Sequence, residues 1–184
     1  MTAITARDIL DFWFTEIPRE RWFRTTPEFD ADIRNRFEAV WHEARKGALA
    51  HWWSSKEGTL AFILLTDQFP RNMFRGQADA FATDALALAV AREALAKHYD
   101  REASADERNF LYLPFMHSEN LADQDFCVNL CREGLGEAHS SHAFALRHRE
   151  AIARFGRFPA RNAALGRATT KEEAGYLKDH PSGF

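Results

Sequence analysis

Residues 57–69 read EGTLAFILLTDQF, a stretch that is apolar on nearly every side. A helix tolerates that pattern only where neighbours surround it, so the segment is expected to be the central helix of a packed bundle. Pro70 is expected to stop it, and RNMFRG to follow as a loop. Outward from there, helical spacing with start and stop signals recurs to both ends, and no segment shows strict strand alternation. On the N-terminal side, Thr5 caps a helix over residues 6–14 with Ile9, Phe12 and Trp13 as its buried stripe. Trp22 and Phe23 are expected to plug the Pro18-containing loop. Thr26 and Pro27 open a second helix, faced by Ile33, Phe37, Val40 and Trp41 and ended by Gly47.

On the C-terminal side, Thr83 is placed to cap an alanine- and leucine-rich helix reaching Tyr99. Ser104 and Glu107 match the S-x-x-E capping box of a helix that Pro114 should close. Ser118 is expected to open the next, to Glu133, and Ser140 or Ser141 the one after, to Phe155. Thr170 with Glu173 forms a second capping box, for a last helix ending near Lys178. Short connections between such helices imply antiparallel hairpins. The expected architecture is all-α, in a single domain over residues 1–184.

Composition narrows function by exclusion. With 46% hydrophobic and 28% charged residues the chain is ordinary globular material, which rules out disorder and low complexity. A net charge of −3 removes any global electrostatic case for nucleic acid or an anionic membrane surface. No apolar run approaches the ~20 residues of a membrane span. The start, MTAITARDILDFWF, has no signal-peptide pattern, so a soluble cytoplasmic protein is expected. Cys127 and Cys131, four apart on one helix, fit neither a disulfide framework nor a CxxC motif. Phosphate-loop, dinucleotide, zinc-protease and serine-hydrolase motifs are missing.

An internal echo is present. FPRNMFRG at 69–76 and FPARNAALG at 158–166 share F-P-(x)-R-N-x-x-x-G, each just after a helix, which suits two related halves. Asp67, in the last turn of the most apolar helix, opposes the helix dipole and needs a cation: Arg71 one turn on, or an arginine of the second FP segment. It reads either as a salt bridge pinning a helix end or as a functional carboxylate. His148 follows Phe144 and precedes Ile152 and Phe155 on one helix face, so it points to the core or to a cleft wall. His117 lies at a helix junction in PFMHSE, where an acid/base, ligand-orienting or local capping role is open. His139 and His142 lack a third ligand at a diagnostic spacing, and neither a metal nor a cofactor is expected.

Arginine outnumbers lysine 19 to 5. Six arginines fall within 147–167, where Glu150 is the sole acid. The planar guanidinium fork suits carboxylate or phosphate, so converging arginines mark an anion site or an ionic clasp. Arg154 and Arg147 have Glu150 nearby; Arg157 and Arg161, flanking Phe158-Pro159, have no local acid, and the acidic span 100–137 could neutralise them.

DFWF at 11–14, LLTDQFPRNMFRG at 64–76, FATDALALA at 81–89, FLYLPFMHSENLADQ at 110–124 and RHREAIARFGRFPARNAALGR at 147–167 together resemble the bacterial domain of unknown function 924 family, over residues 6–178. The resemblance implies an all-α, tetratricopeptide-like superhelical fold and no established activity. It further implies that Asp67, Arg71, Asn72, His117, Glu119, His148, Arg157, Arg161 and Asn162 belong to the family's polar signature. Ala160 stands where the family pattern reads FPHRN, so any role of that histidine is lost here. Two functions are expected to compete: a pocket for a small anionic metabolite, with Arg157 and Arg161 clamping charge and His117 moving a proton, or a concave surface for a peptide or protein partner. The pocket reading expects the two FP segments to meet, with His117 and His148 beside them.

Overall fold

The computed structural model describes residues 4–24, 26–181 and 183. The first three residues, part of the N-terminal reading above, lie outside the described set. The chain is all-α: the described residues contain helices and turns and no strand. It divides into two compact units, Met1–Arg75 with Asp79–Asp100, and Gly76–Ala78 with Arg101–Phe184. No described helix is long and apolar enough to cross a membrane.

The first unit is built on α1 (Ala6–Asp11), α2 (Pro27–Arg45), α3 (Lys56–Ile63), α4 (Phe69–Met73) and α5 (Asp84–Ala96). Thr5 caps α1 in a capping box with Asp8, and Thr26 caps α2 through the Phe29 N–H with Pro27 at its start. Past Asp11 the first helix widens into a π-helical turn, Phe12–Glu16, which turns both Phe12 and Trp13 inward. Their rings join Phe29, Phe37 and Phe69 in an aromatic core with centroids 5.0–6.5 Å apart. Trp22 stacks on Trp13 and donates its Nε1–H to the Trp13 carbonyl (2.9 Å). Phe23, expected beside it as a plug, is instead 63% exposed, while Trp22 is buried.

Pro70 does not stop the central helix. Between α3 and α4 the backbone widens into a second π turn, Leu64–Gln68, and continues through Pro70 to Met73. An α-helix through a proline loses the bond to the carbonyl four residues back and clashes with it. Here that carbonyl belongs to Thr66, and it accepts instead from the Thr83 hydroxyl at 2.6 Å. Thr83 therefore makes no side-chain cap on α5, although it holds the N-cap position, and its oxygen also accepts from Trp41 Nε1 (3.2 Å). The α5 helix ends at Ala96, short of Tyr99, where His98 adopts a left-handed φ of 58°.

The second unit holds α6 (Ala105–Met116), α7 (Leu121–Gly134), α8 (Ser140–Phe155) and α9 (Lys171–Asp179). Ser104/Glu107 and Thr170/Glu173 form both expected capping boxes. Pro114 lies inside α6, which runs on to Met116. The cap of α7 is Asn120, whose Oδ1 accepts from the Ala122 N–H, while Ser118 accepts from the Asn120 N–H and donates to Asp123; His139 caps α8 through Nδ1. Tyr112 meets Cys127 and Arg108 meets Gly134, so α6 and α7 run antiparallel; Asp125 meets Arg149, so α7 and α8 do too.

Candidate functional site

The nine residues of the polar signature fall into two groups, one in each unit. Asp67, Arg71 and Asn72 lie on and after the π turn of the first unit. The widened turn buries all of Leu64–Gln68, carrying Asp67 to 1% exposure. Arg71 grips Asp84 by two points, each at 3.0 Å, and also reaches Asp67 Oδ1 at 3.4 Å. Burial would lower the Arg71 pKa, but the fields of Asp67 and Asp84 outweigh it, so Arg71 is raised and stays charged. Asn72 is spent locally: it accepts from Gln68 (3.0 Å) and donates to Asp30 (2.8 Å), which Arg75 holds from outside.

The second unit brings together His117, Glu119, His148, Arg157, Arg161 and Asn162. The segment joining α8 to α9 anchors most of them. Gly156, at φ 66°, closes α8 in the left-handed conformation, and a 3-10 turn at Pro159–Arg161 follows. Two glutamate–arginine forks then pin the segment. Glu119 accepts from Arg167 at 2.7 and 3.0 Å and from the Phe158 N–H at 2.8 Å. Glu173 accepts from Arg157 at 2.7 and 3.0 Å, from the Thr170 N–H at 2.7 Å and from Asn162 Nδ2 at 3.2 Å. Those contacts hold the Glu173 carboxyl down at about 2, with the Arg157 hydrogen bonds the largest cause. At Glu119 burial pushes the pKa up, but the Arg167 bonds and the Phe158 N–H bring it below the ordinary value.

Arg161 donates Nη2 to the His117 carbonyl (2.8 Å) and lies over the Phe158 ring at 4.6 Å. His148 Nδ1 sits 2.8 Å from the Phe144 carbonyl, which can only accept, so Nδ1 carries the proton in this geometry. The His148 ring meets Phe158 edge-on at 5.5 Å and stands 6.2 Å from His117. Two imidazoles and a guanidinium thus share one neighbourhood, fixed by the clasped segment. The chemistry open to such a set is recognition of an anion and transfer of a proton.

Reading the sequence counted Arg167 in the arginine cluster without its partner, gave Asp84 and Phe158 no part in these networks, and treated Glu173 only as a helix cap. It offered Glu150 as a local partner for Arg154, and Arg154 binds Glu172 at 2.9 Å. The acid that forks onto Arg157 is Glu173, outside the acidic span 100–137, while Glu119, inside that span, acts on both Arg157 and Arg161 through its charge. The expected meeting of the two FP segments concerns both units, and each segment finds the ionic partners given above inside its own.

Other polar clusters have local work. His139 accepts from Ser141 N, and His142 Nδ1 lies 3.2 Å from the Glu137 carbonyl. Among the described residues no three of His, Cys, Asp or Glu gather to hold a metal ion. Cys127 and Cys131 are fully buried, and the Cys131 thiol and burial push the Cys127 thiol far up, so Cys127 is not a reactive thiolate. A cleft of about 620 Å³ in the first unit, lined by Ile4, Leu10, Leu49, His51 and Trp52 among others, contains none of the signature residues.

A solved structure of a protein of unknown function, ATU0120 from Agrobacterium tumefaciens, is 42% identical to this chain. It superposes with a TM-score of 0.88, over 95% of this chain and 97% of that one. None of the curated proteins matches. The family model for bacterial proteins of unknown function (DUF924) matches residues 9–181, across both units and every residue of the polar signature, and the chain belongs to that family.

Proposed function

We propose that the protein binds a small anion, a carboxylate or a phosphate, at His117, His148 and Arg161 of the second unit. One observation carries this reading: the Arg161 guanidinium is anchored on the His117 carbonyl (2.8 Å) while the His117 and His148 rings stand 6.2 Å apart. Glu119 and Asn162 support the site without touching the ligand, since their bonds go to the segment that displays Arg161. Arg157 belongs to the clasp with Glu173 rather than to the ligand. In the catalytic form of the reading, His117 transfers the proton. His148 is held by its Nδ1 contact with the Phe144 carbonyl, which fixes the ring beside Phe158. The single family model running across both units supports treating the chain as one domain.

The test is a titration of the full chain with inorganic phosphate and with succinate, following the imidazole resonances of His117 and His148 and the melting temperature. Saturable shifts of both rings are expected; a ligand at 100-fold its Kd adds about 2.7 kcal/mol of stability. Rings and melting temperature indifferent to both anions at millimolar concentration overturn the proposal.

A peptide-binding, tetratricopeptide-like module is the second reading. It is favoured by the antiparallel α6–α7–α8 hairpins and by Leu121, Phe126, Phe144 and Leu146, each at least 40% exposed. In that case neither anion moves the histidines.

A further inference from the structure

We infer that Arg167 is a positioning residue, which sets His148 and Arg161 by gripping the backbone of Phe158. The inference rests on the anion-site reading for its consequence, but its geometry stands alone.

Phe158 is held on both sides of its own backbone. Its N–H donates to Glu119 Oε1 (2.8 Å), and its carbonyl accepts from Arg167 Nη2 (3.0 Å). The same Arg167 forks onto both oxygens of Glu119, which closes a ring of charge-assisted bonds around residue 158. This ring fixes where the side chain goes. The Phe158 ring is 3% exposed and packs with Ala151, Ile152 and Tyr176. One neighbour of that ring is the Arg161 guanidinium at 4.6 Å, and another is the edge-on His148 imidazole at 5.5 Å. Phe158 thus touches two of the three residues assigned to the anion, and Arg167 holds Phe158.

The planar fork is what this arrangement needs. Arginine offers several N–H donors in one plane and can serve Glu119 and the Phe158 carbonyl together, while an ammonium is a point charge without that fixed pattern. Charge alone would be met by lysine; orientation would not.

The experiment uses Arg167→Lys in the full chain, with Phe158→Leu as the reference that lacks the aromatic ring. The His148 imidazole proton shifts report the ring current of Phe158 in the absence of any ligand. Arg167→Lys is expected to keep the helical circular dichroism, move the His148 shifts toward those of Phe158→Leu, and weaken inorganic phosphate binding at least ~10-fold, the equivalent of about 1.4 kcal/mol. His148 shifts identical to the wild type would overturn the positioning role. If Arg167→Lys does not fold, Glu119→Gln is read the same way, since it keeps an acceptor for the Phe158 N–H and loses the ionic fork. Failure of the anion site shows differently: phosphate then leaves the wild type unmoved, while the ring-current comparison still decides the role of Arg167.

Discussion

Glu119 and Arg167, 48 residues apart in sequence, meet through two parallel hydrogen bonds of 2.7 and 3.0 Å. Glu173 and Arg157 repeat the arrangement 16 residues apart, again with one backbone N–H on the carboxylate. A segment between helices that carries no long helix of its own is ordinarily the mobile part of a helical protein. Here two forks hold it at both shoulders.

The Glu173 fork makes stability depend on acid. A carboxyl held at about 2 in the folded state, against an ordinary 4.5, contributes stability that is complete above the ordinary value and lost as the pH falls from 4.5 through 2. Glu173→Gln should therefore be less stable than the wild type at neutral pH, with the difference shrinking across that window. Urea midpoints measured at several pH values check it, and a gap that stays constant down to pH 2 contradicts the assignment.

Thr83→Val should cost about 1–3 kcal/mol, because it strips the Thr66 carbonyl of its donor and Trp41 Nε1 of its acceptor in a site only 2% exposed. Thr83→Ser keeps the hydroxyl and should recover most of that loss. Denaturant unfolding of the two variants side by side is the measurement; equal losses would show that the hydroxyl's two bonds do not set the cost.

Gly58 lies where α3 passes close to the backbone of residue 52. A Cβ there would sit 2.2 Å from the Trp52 carbonyl oxygen, and a carbonyl cannot swing aside as a side chain can. Gly58→Ala is expected to lose about 1–3 kcal/mol despite the better helix propensity of alanine. A thermal melt unchanged or raised would show that the two backbones separate at little cost.

Leu64 is fully buried in the π turn. Leu64→Ala should cost about 2–5 kcal/mol, since a packed interior only partly fills the cavity that a fully buried leucine leaves. A loss below about 0.5 kcal/mol in urea would place Leu64 outside the tightly packed core.

What was legible in the sequence was local. The boxes at Ser104/Glu107 and Thr170/Glu173 and the Thr26-Pro27 start are settled within one helical turn, and all of them form. Pro70 was misread because its accommodation depends on a hydroxyl 17 residues from the carbonyl it satisfies. Ser118 does not cap α7 because it stands two residues before the N-cap, where its oxygen accepts from the N–H of Asn120, the residue that does cap. The same limit governs the candidate site. That His148 would face inward followed from its helical register, but Glu173 as the partner of Arg157 did not, since one carboxylate caps its own helix and clamps a distant arginine at once. Arg154 preferred Glu172 to the acid one turn back, a choice made by the placement of α9 and invisible to spacing.

The widened turn at Leu64–Gln68 bears on the order in which the chain can assemble. Helix formation is usually a local affair, with each carbonyl finding its donor a few residues downstream. The Thr66 carbonyl has no N–H four residues on, where Pro70 stands, and the Thr83 hydroxyl that reaches it comes from outside the helix. The segment from Lys56 to Met73 is accordingly a helix whose accounts stay open until the opening of α5 is in place. Cut out as a peptide it should fray beyond Ile63, and in the whole chain its last turns and the opening of α5 should protect their amide protons from exchange as one cooperative block.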